Sequence, residues 1–309
     1  MSVVRLSRRH EDLYHHEAQF GRAVFPHLVR GRFDVVHSLG RHDALASIRA
    51  ARLRRGRRTV FTDLGLPTRA YWEGMHRREA RAVEKVIDRI EVYSGMSQCA
   101  LDHVVREYGR RDGVVVPGGV DTEEFHPADR REKRPTILFS GAFEEPSKEV
   151  PVLLEALAIV ADSEPEVQLW LSGPGDASAL LDAAPAAARE HTEVLGLGEI
   201  DRQHERYGRA WATCLPTRTD SFGMVLIESL ACGTPLITTT QGAPPELVTE
   251  GVTGTLCTPG DPQDLARACL ASLELARLPA TTAACREAGE AFDWDRSLAP
   301  RCERIYAGG

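Results

Sequence analysis

No apolar run in this 309-residue chain approaches the roughly 20 residues needed to cross a bilayer. The longest, such as PVLLEALAIVA at 151–161, stop well short. The opening MSVVRLSRRHEDLYHH has no apolar core of the kind a secretory leader carries, so a cytoplasmic protein is expected. The seven cysteines (Cys99, Cys214, Cys232, Cys257, Cys269, Cys285, Cys302) are odd in number and include no pair at the two-residue spacing of zinc or dithiol sites. That absence leaves buried free thiols in a reducing compartment. No internal repeat or low-complexity tract stands out. A chain-wide excess of positive charge is also missing. Residues 1–134 carry 26 Lys and Arg against 19 Asp and Glu, and the remainder 12 against 26, within a net charge of −7. This split argues for two domains with different tasks and against a nucleic-acid partner.

What is present is an ordinary globular composition, 42% hydrophobic and 27% charged, in a chain long enough for two domains. From residue 135 the pattern is regular. PTILFSGAF reads as a buried strand, KEVPVLLEALAIVADS as an amphipathic helix and VQLWLSGPG as a strand ending in a Gly/Pro turn. TEVLGLG, WATCLPT and PLITTT read as further strands, with IDRQHERYGRA and FGMVLIESLAC as helices between them. Such alternation implies βαβ units and a doubly wound parallel sheet, whose ligands sit beyond the carboxyl ends of the strands. The first half alternates less clearly. FDVVHSLG, TVFTDLGLP, IEVYSG and GVVVPGG read as strands, YWEGMHRREARAVEKVIDR and SQCALDHVVREYG as helices. The polar HPADRREKRP at 126–135 reads as a linker.

One stretch, TDSFGMVLIESLACGTPLITTT at 219–240, holds two carboxylates around a glycine turn. Asp220 lies in the loop after a strand. Gly223 turns the backbone into a helix whose free N–H groups favour an anion, and Gly233 and Pro235 end it. Glu228 falls in the second turn. The pair could hold hydroxyls on either side of a phosphate, which suits a nucleotide-sugar, although a solvated helix-end carboxylate explains either acid taken alone.

Flanking segments add context. The 60 or so residues from YGRAWATCLPT to CTPGDPQDLA resemble, in order, the donor-site core of the GT-B glycosyltransferases of family GT4. In that family two acids bracket Phe-Gly, followed by Ala-x-Gly-x-Pro, a Gly-x-Pro-Glu turn and a Gly-x-x-Gly-x-Leu hairpin. Here Gly242 to Glu246 resemble the turn and Gly251 to Leu256 the hairpin. VVPGGVDTEEFHP at 115–127 is similar to the interdomain motif Pro-Asn-Gly-Val-Asp, with Gly118 for Asn.

The resemblance implies an α/β GT-B fold of two Rossmann-like domains facing a cleft. An acceptor-side domain would occupy 1–128 and a donor domain 129–288. A C-terminal helix over 289–309, FDWDRSLAPRCERIYAGG, would cross back to the first domain. It also implies retaining transfer from a nucleotide-diphosphate sugar, with no cofactor and no metal. In that reading Asp220 contacts sugar hydroxyls, Glu228 the ribose and Lys148 the diphosphate. Gly141, Ser221, Phe222, Gly223, Met224 and Val225 line the donor, and His37 is a catalytic candidate at a strand end, a place where a satisfied structural histidine is the commoner case. The acceptor, whether small molecule, glycan or lipid, is unspecified.

The sequence departs from the family in three places. Ala142 replaces the arginine of the phosphate motif, with Arg218 as a conceivable substitute. Leu64, beside Asp63, stands where the family places a histidine. Nothing before FDVVHSLG supplies the usual opening strand, Gly-rich loop and helix, and residues 1–16 look like the strand and loop that follow them. The first domain is therefore expected to lack its first βα unit. These departures keep open a weakly active or inactive nucleotide-sugar-binding partner protein, and a GT-B nucleotide-sugar 2-epimerase ranks below both. RAARLRRGRR at 49–58 allows a weak peripheral contact with anionic lipid through Arg49–Arg58, though so few large apolar residues favour a solvated helix end.

Overall fold

The computed structural model describes residues 13–53, 56–66, 68, 77–198 and 202–308. It divides into two compact units, one formed by Met1–Pro117 with Pro300–Gly309 and the other by Gly118–Ala299. Among the described residues no helix is long and apolar enough to cross a membrane. All seven cysteines are free thiols and five are buried, as their spacing implied.

In the first unit, helices α1 (Leu13–Arg30), α2 (Arg41–Leu53), α3 (Arg77–Arg89) and α4 (Gln98–Tyr108) alternate with strands β1 (Val35–Ser38), β2 (Arg58–Asp63), β3 (Val92–Gly95) and β4 (Val114–Val115). All pairings are parallel and the spatial order is β1-β2-β3-β4. Because every right-handed crossover steps the same way, the connecting helices fall on one face. That face is the core of Phe61, Tyr93, Val83, Val86, Ile87 and Leu101. The opposite face, built on Val60 and Val116, is covered by Ile305 from the C-terminal part of the chain.

Two expectations for this unit need correction. From Leu13 onwards the region expected as strand and loop is helix, while residues 1–12 lie outside the described part. In the structure a Cβ at Gly21 would lie 2.5 Å from the His42 carbonyl oxygen, so glycine is what lets α1 press onto α2. Nor is RAARLRRGRR a solvated or lipid-facing cluster throughout. Arg57 is buried and donates to the Leu28 and Gly31 carbonyls at the end of α1, and Arg58 pairs with Glu91. Among the described residues of the cluster only Arg49 and Arg52 are exposed arginines.

In the second unit the strands are β5 (Thr136–Ser140), β6 (Gln168–Ser172), β7 (Thr192–Gly196), β8 (Ala212–Leu215), β9 (Leu236–Thr239) and β10 (Gly254–Cys257). The intervening helices are α5 (Val150–Ser163), α6 (Ser178–Ala183), α7 (Ala186–Glu190), α8 (Gln203–Arg209), α9 (Met224–Ala231), α10 (Pro262–Ala276) and α11 (Pro279–Glu290). The sheet is parallel in the order β10-β9-β8-β5-β6-β7, the doubly wound arrangement that the alternating pattern predicts. Its central strands are buried on both faces, which is why they read as continuous apolar runs. Residues 126–135, expected as a linker, are instead bound to this unit. Arg131 donates to the Ala276 and Gly233 carbonyls and to Thr282, and Trp211 donates to the Glu132 carbonyl.

Candidate functional site

The direction of winding in the second sheet reverses between β5 and β8. The loops beyond their carboxyl ends, residues 141–149 and 216–223, therefore diverge and open a crevice. At the same edge Gly173, with φ +145°, passes so close that a Cβ there would lie 2.0 Å from the Gly141 oxygen. The Gly141 amide is itself used, donating to Ser172 at 2.9 Å. Gly141 thus sits at the site but offers no free N–H to a ligand.

Lys148 closes a short 3₁₀ turn, Pro146–Lys148, started by the Glu145 carboxylate and ended by Glu149 at φ +48°. The Ser147 carbonyl accepts from the Arg218 amide at 2.9 Å and the Thr217 hydroxyl at 3.0 Å, which fixes the turn against the loop after β8. In that geometry the Lys148 Nζ meets the Asp220 Oδ2 at 2.6 Å. The other Asp220 oxygen accepts from the Phe222 amide at 3.1 Å, and the Asp220 carbonyl takes the Ala243 amide at 3.1 Å. Two sequence candidates 72 positions apart are thereby brought together.

Gly223, at φ +101°, starts α9, and the first amides of that helix have no partner within it. Phe222 beneath it is buried edge-on against Phe292, with ring centroids 5.7 Å apart, while Met224 is exposed and Ser221 and Val225 half-buried. Glu228 lies in the second turn, half-buried. Burial raises its pKa, opposed by the phenol of Tyr207, and the nearby Glu124 adds to the rise. Tyr207 is 1% exposed and faces both Glu228 and the hydroxyl of Ser140 at the end of β5. Tyr207 and Ser140 escaped the sequence reading because a lone Tyr in a helix and a Ser at a strand end carry no spacing signal. The crevice can hold an anion at Lys148 and the helix start, with carboxylates at Asp220 and Glu228 to accept from hydroxyls.

Arg218, the conceivable substitute for the absent arginine, is engaged elsewhere in this structure. Its guanidinium pairs with Glu149, which also accepts from the Gly260 amide, and Ala142 is exposed. In the first unit Leu64 is half-exposed, and Asp63 beside it accepts from Tyr93 and the Gly65 amide.

His37 is fully engaged. Its Nδ1 meets the Tyr306 hydroxyl at 2.7 Å and its Nε2 meets Thr62 at 2.7 Å. Thr62 contacts Ser94 at 2.6 Å, and Ser94 donates to the Phe61 carbonyl. Counting protons back from that carbonyl, Thr62 donates to Ser94, His37 donates to Thr62 through Nε2–H, and Nδ1 accepts from Tyr306. Burial lowers the His37 pKa, in keeping with this neutral tautomer. Both ring nitrogens are thus engaged in this structure.

Among the described residues, one group has the chemistry to hold a metal: Glu17, His42 and Glu79. The Arg41 guanidinium reaches the same carboxylates, 2.9 Å from Glu17 and 3.6 Å from Glu79, and supplies the cation itself.

Residues 134–274 match the family model for Glycosyl transferases group 1, and residues 2–124 that for Glycosyltransferase Family 4. A phosphatidyl-myo-inositol mannosyltransferase of Mycobacterium tuberculosis is 34% identical over 234 residues, covering 72% of this chain and 60% of the relative. A D-inositol 3-phosphate glycosyltransferase of Geodermatophilus obscurus is 32% identical over 219 residues, covering 63% of this chain and 48% of the relative. The chain thus spans less than two thirds of either relative. Among solved structures, a sucrose-phosphate synthase of Thermosynechococcus elongatus superposes with a TM-score of 0.81 at 20% identity, covering 98% of this chain and 80% of that one. Anabaena HepE, solved with UDP and glucose, gives 0.76 at 18% identity, covering 96% and 83%. At these identities the structural likeness speaks for the fold.

Proposed function

Because this chain belongs to the group 1 glycosyltransferases of family 4, we propose that it transfers a sugar from a nucleotide-diphosphate sugar, with retention of configuration, to an inositol-bearing acceptor. The observation that carries the donor assignment is the meeting of Lys148 and Asp220 at 2.6 Å beside the Gly223 helix start, at the switch point of the second sheet. Lys148 and the first amides of α9 oppose the negative charge that grows on the diphosphate as the anomeric C–O bond breaks. Asp220 accepts from sugar hydroxyls and Glu228 from the ribose pair. The acceptor hydroxyl forms the new C–O bond on the face the phosphate leaves, and its proton passes to a phosphate oxygen. The inositol acceptor is supported by the names of two relatives that each match at above 30% identity.

A thermal-shift series tests the donor assignment. UDP, GDP or ADP should raise the melting temperature without added divalent metal, and Glu228→Ala should remove the shift. If none of the three moves the wild-type curve, the assignment is wrong. A second reading, a nucleotide-sugar binder with weak turnover, is favoured by Ala142, which leaves Lys148 as the one motif cation on the diphosphate. Donor binding with no transfer to myo-inositol, inositol phosphate or phosphatidylinositol would select that reading.

A further inference from the structure

The first unit contains a cavity of about 500 Å³ between α1, α2 and α3. Each helix lines it with positions spaced i, i+3, i+4 and i+7, one stripe about 10 Å long. The rim is cationic: Arg22 from α1, Arg49 from α2, and Arg78, Arg81 and Lys85 from α3, all exposed, with His42 at one end. Among the described residues no carboxylate lines it. The acids nearest that end, Glu17 and Glu79, are engaged by Arg41 and His42. Among the described residues none of the five rim cations is paired with a carboxylate. The floor is apolar, formed by Phe25, Leu45, Ala46 and Ala82.

Five like charges around one concavity repel one another, and a bound anion would relieve that repulsion. The floor residues are buried or half-buried beneath the cations. A membrane-docking surface has the reverse arrangement, with apolar side chains protruding beyond the charges. The volume fits a small molecule and the length is too short for a nucleic-acid track. We propose that this three-helix groove binds a small, multiply phosphorylated anion, at a site independent of the nucleotide site of the second unit.

The test is isothermal titration of the full chain at low ionic strength with sodium tripolyphosphate as the probe. Lys148→Ala is used as the background to weaken the contribution of the donor site. One equivalent should bind, more weakly as salt rises and about tenfold or more tighter than orthophosphate. Arg78→Gln with Lys85→Gln, and separately Arg22→Gln with Arg49→Gln, should each weaken binding about tenfold. All four side chains are exposed, so the variants should keep the far-UV circular dichroism of the parent. In the Lys148 background, unchanged affinity in either pair would overturn the proposal. So would equal affinity for orthophosphate and tripolyphosphate, or association only with vesicles containing anionic phospholipid. Absence of a UDP thermal shift in the wild-type chain, with groove binding intact, would count against the donor assignment alone.

Discussion

A diphosphate entering the crevice of the second unit must draw Lys148 away from Asp220. The two side chains are 22% and 16% exposed, so their pair is only partly screened and is worth about 1 kcal/mol. A charge-assisted bond from Lys148 to a β-phosphate contributes about 1.5 to 3 kcal/mol, leaving about 0.5 to 2 kcal/mol net. Lys148→Ala loses both interactions and should weaken UDP about 2- to 30-fold, with little effect on UMP. Asp220→Asn has the opposite sign. It releases the lysine from its competitor, and UDP should bind about fivefold tighter, while sugar transfer falls because a hydroxyl acceptor has lost its charge. Isothermal titration of UDP and UMP into wild type and both variants, in one buffer, measures each difference. If Asp220→Asn weakens UDP as much as Lys148→Ala does, the carboxylate holds the lysine in place or touches the nucleotide itself, and the competition argument is refuted.

Glu228 must be ionised to accept from two ribose hydroxyls, and burial raises its pKa. Nucleotide affinity should therefore fall as pH is lowered through a midpoint above the ordinary carboxylate range, and Glu228→Gln should flatten the profile; a wild-type midpoint at or below that range would contradict the assignment. His37→Phe strands the hydroxyls of Thr62 and Tyr306 and should cost about 1 to 3 kcal/mol of stability by urea unfolding, with the UDP thermal shift preserved. Loss of that shift at unchanged stability would instead give His37 a functional role.

The second unit was legible because its central strands are buried on both faces. A parallel sheet covered by helices leaves apolar runs such as TILFS and LITT between Gly/Pro turns, and the order of those runs is the order of the fold. Asp220, Glu228 and Lys148 were found by motif, but that Lys148 would rest on Asp220 depends on a 3₁₀ turn pinned by Thr217, which no spacing encodes. Local propensity misled wherever tertiary contact overrode it. The end of the segment 1–16 was expected as loop where α1 already runs from Leu13. The charges of residues 126–135 suggested solvent where Arg131 is held by three acceptors. Arg57 looked like one more surface arginine and closes the end of a helix. His37 is the intermediate case, since a structural histidine was the commoner expectation at a strand end, and the relay that engages it through Thr62 and Ser94 has no signature in sequence.

The cover on the second face of the first sheet has a consequence for synthesis. Val60 and Val116 emerge early, but Ile305, which packs against them, is translated about 190 residues later, and Gly118–Ala299 comes in between. At about 5 to 20 residues per second the ribosome takes roughly 10 to 40 seconds to bridge that interval. Throughout it the strands made first wait with one apolar face open to water while the second unit is itself being made. The half of the protein that begins translation is thus the half that finishes folding last, and it is the nascent first sheet that a holdase would have to shield.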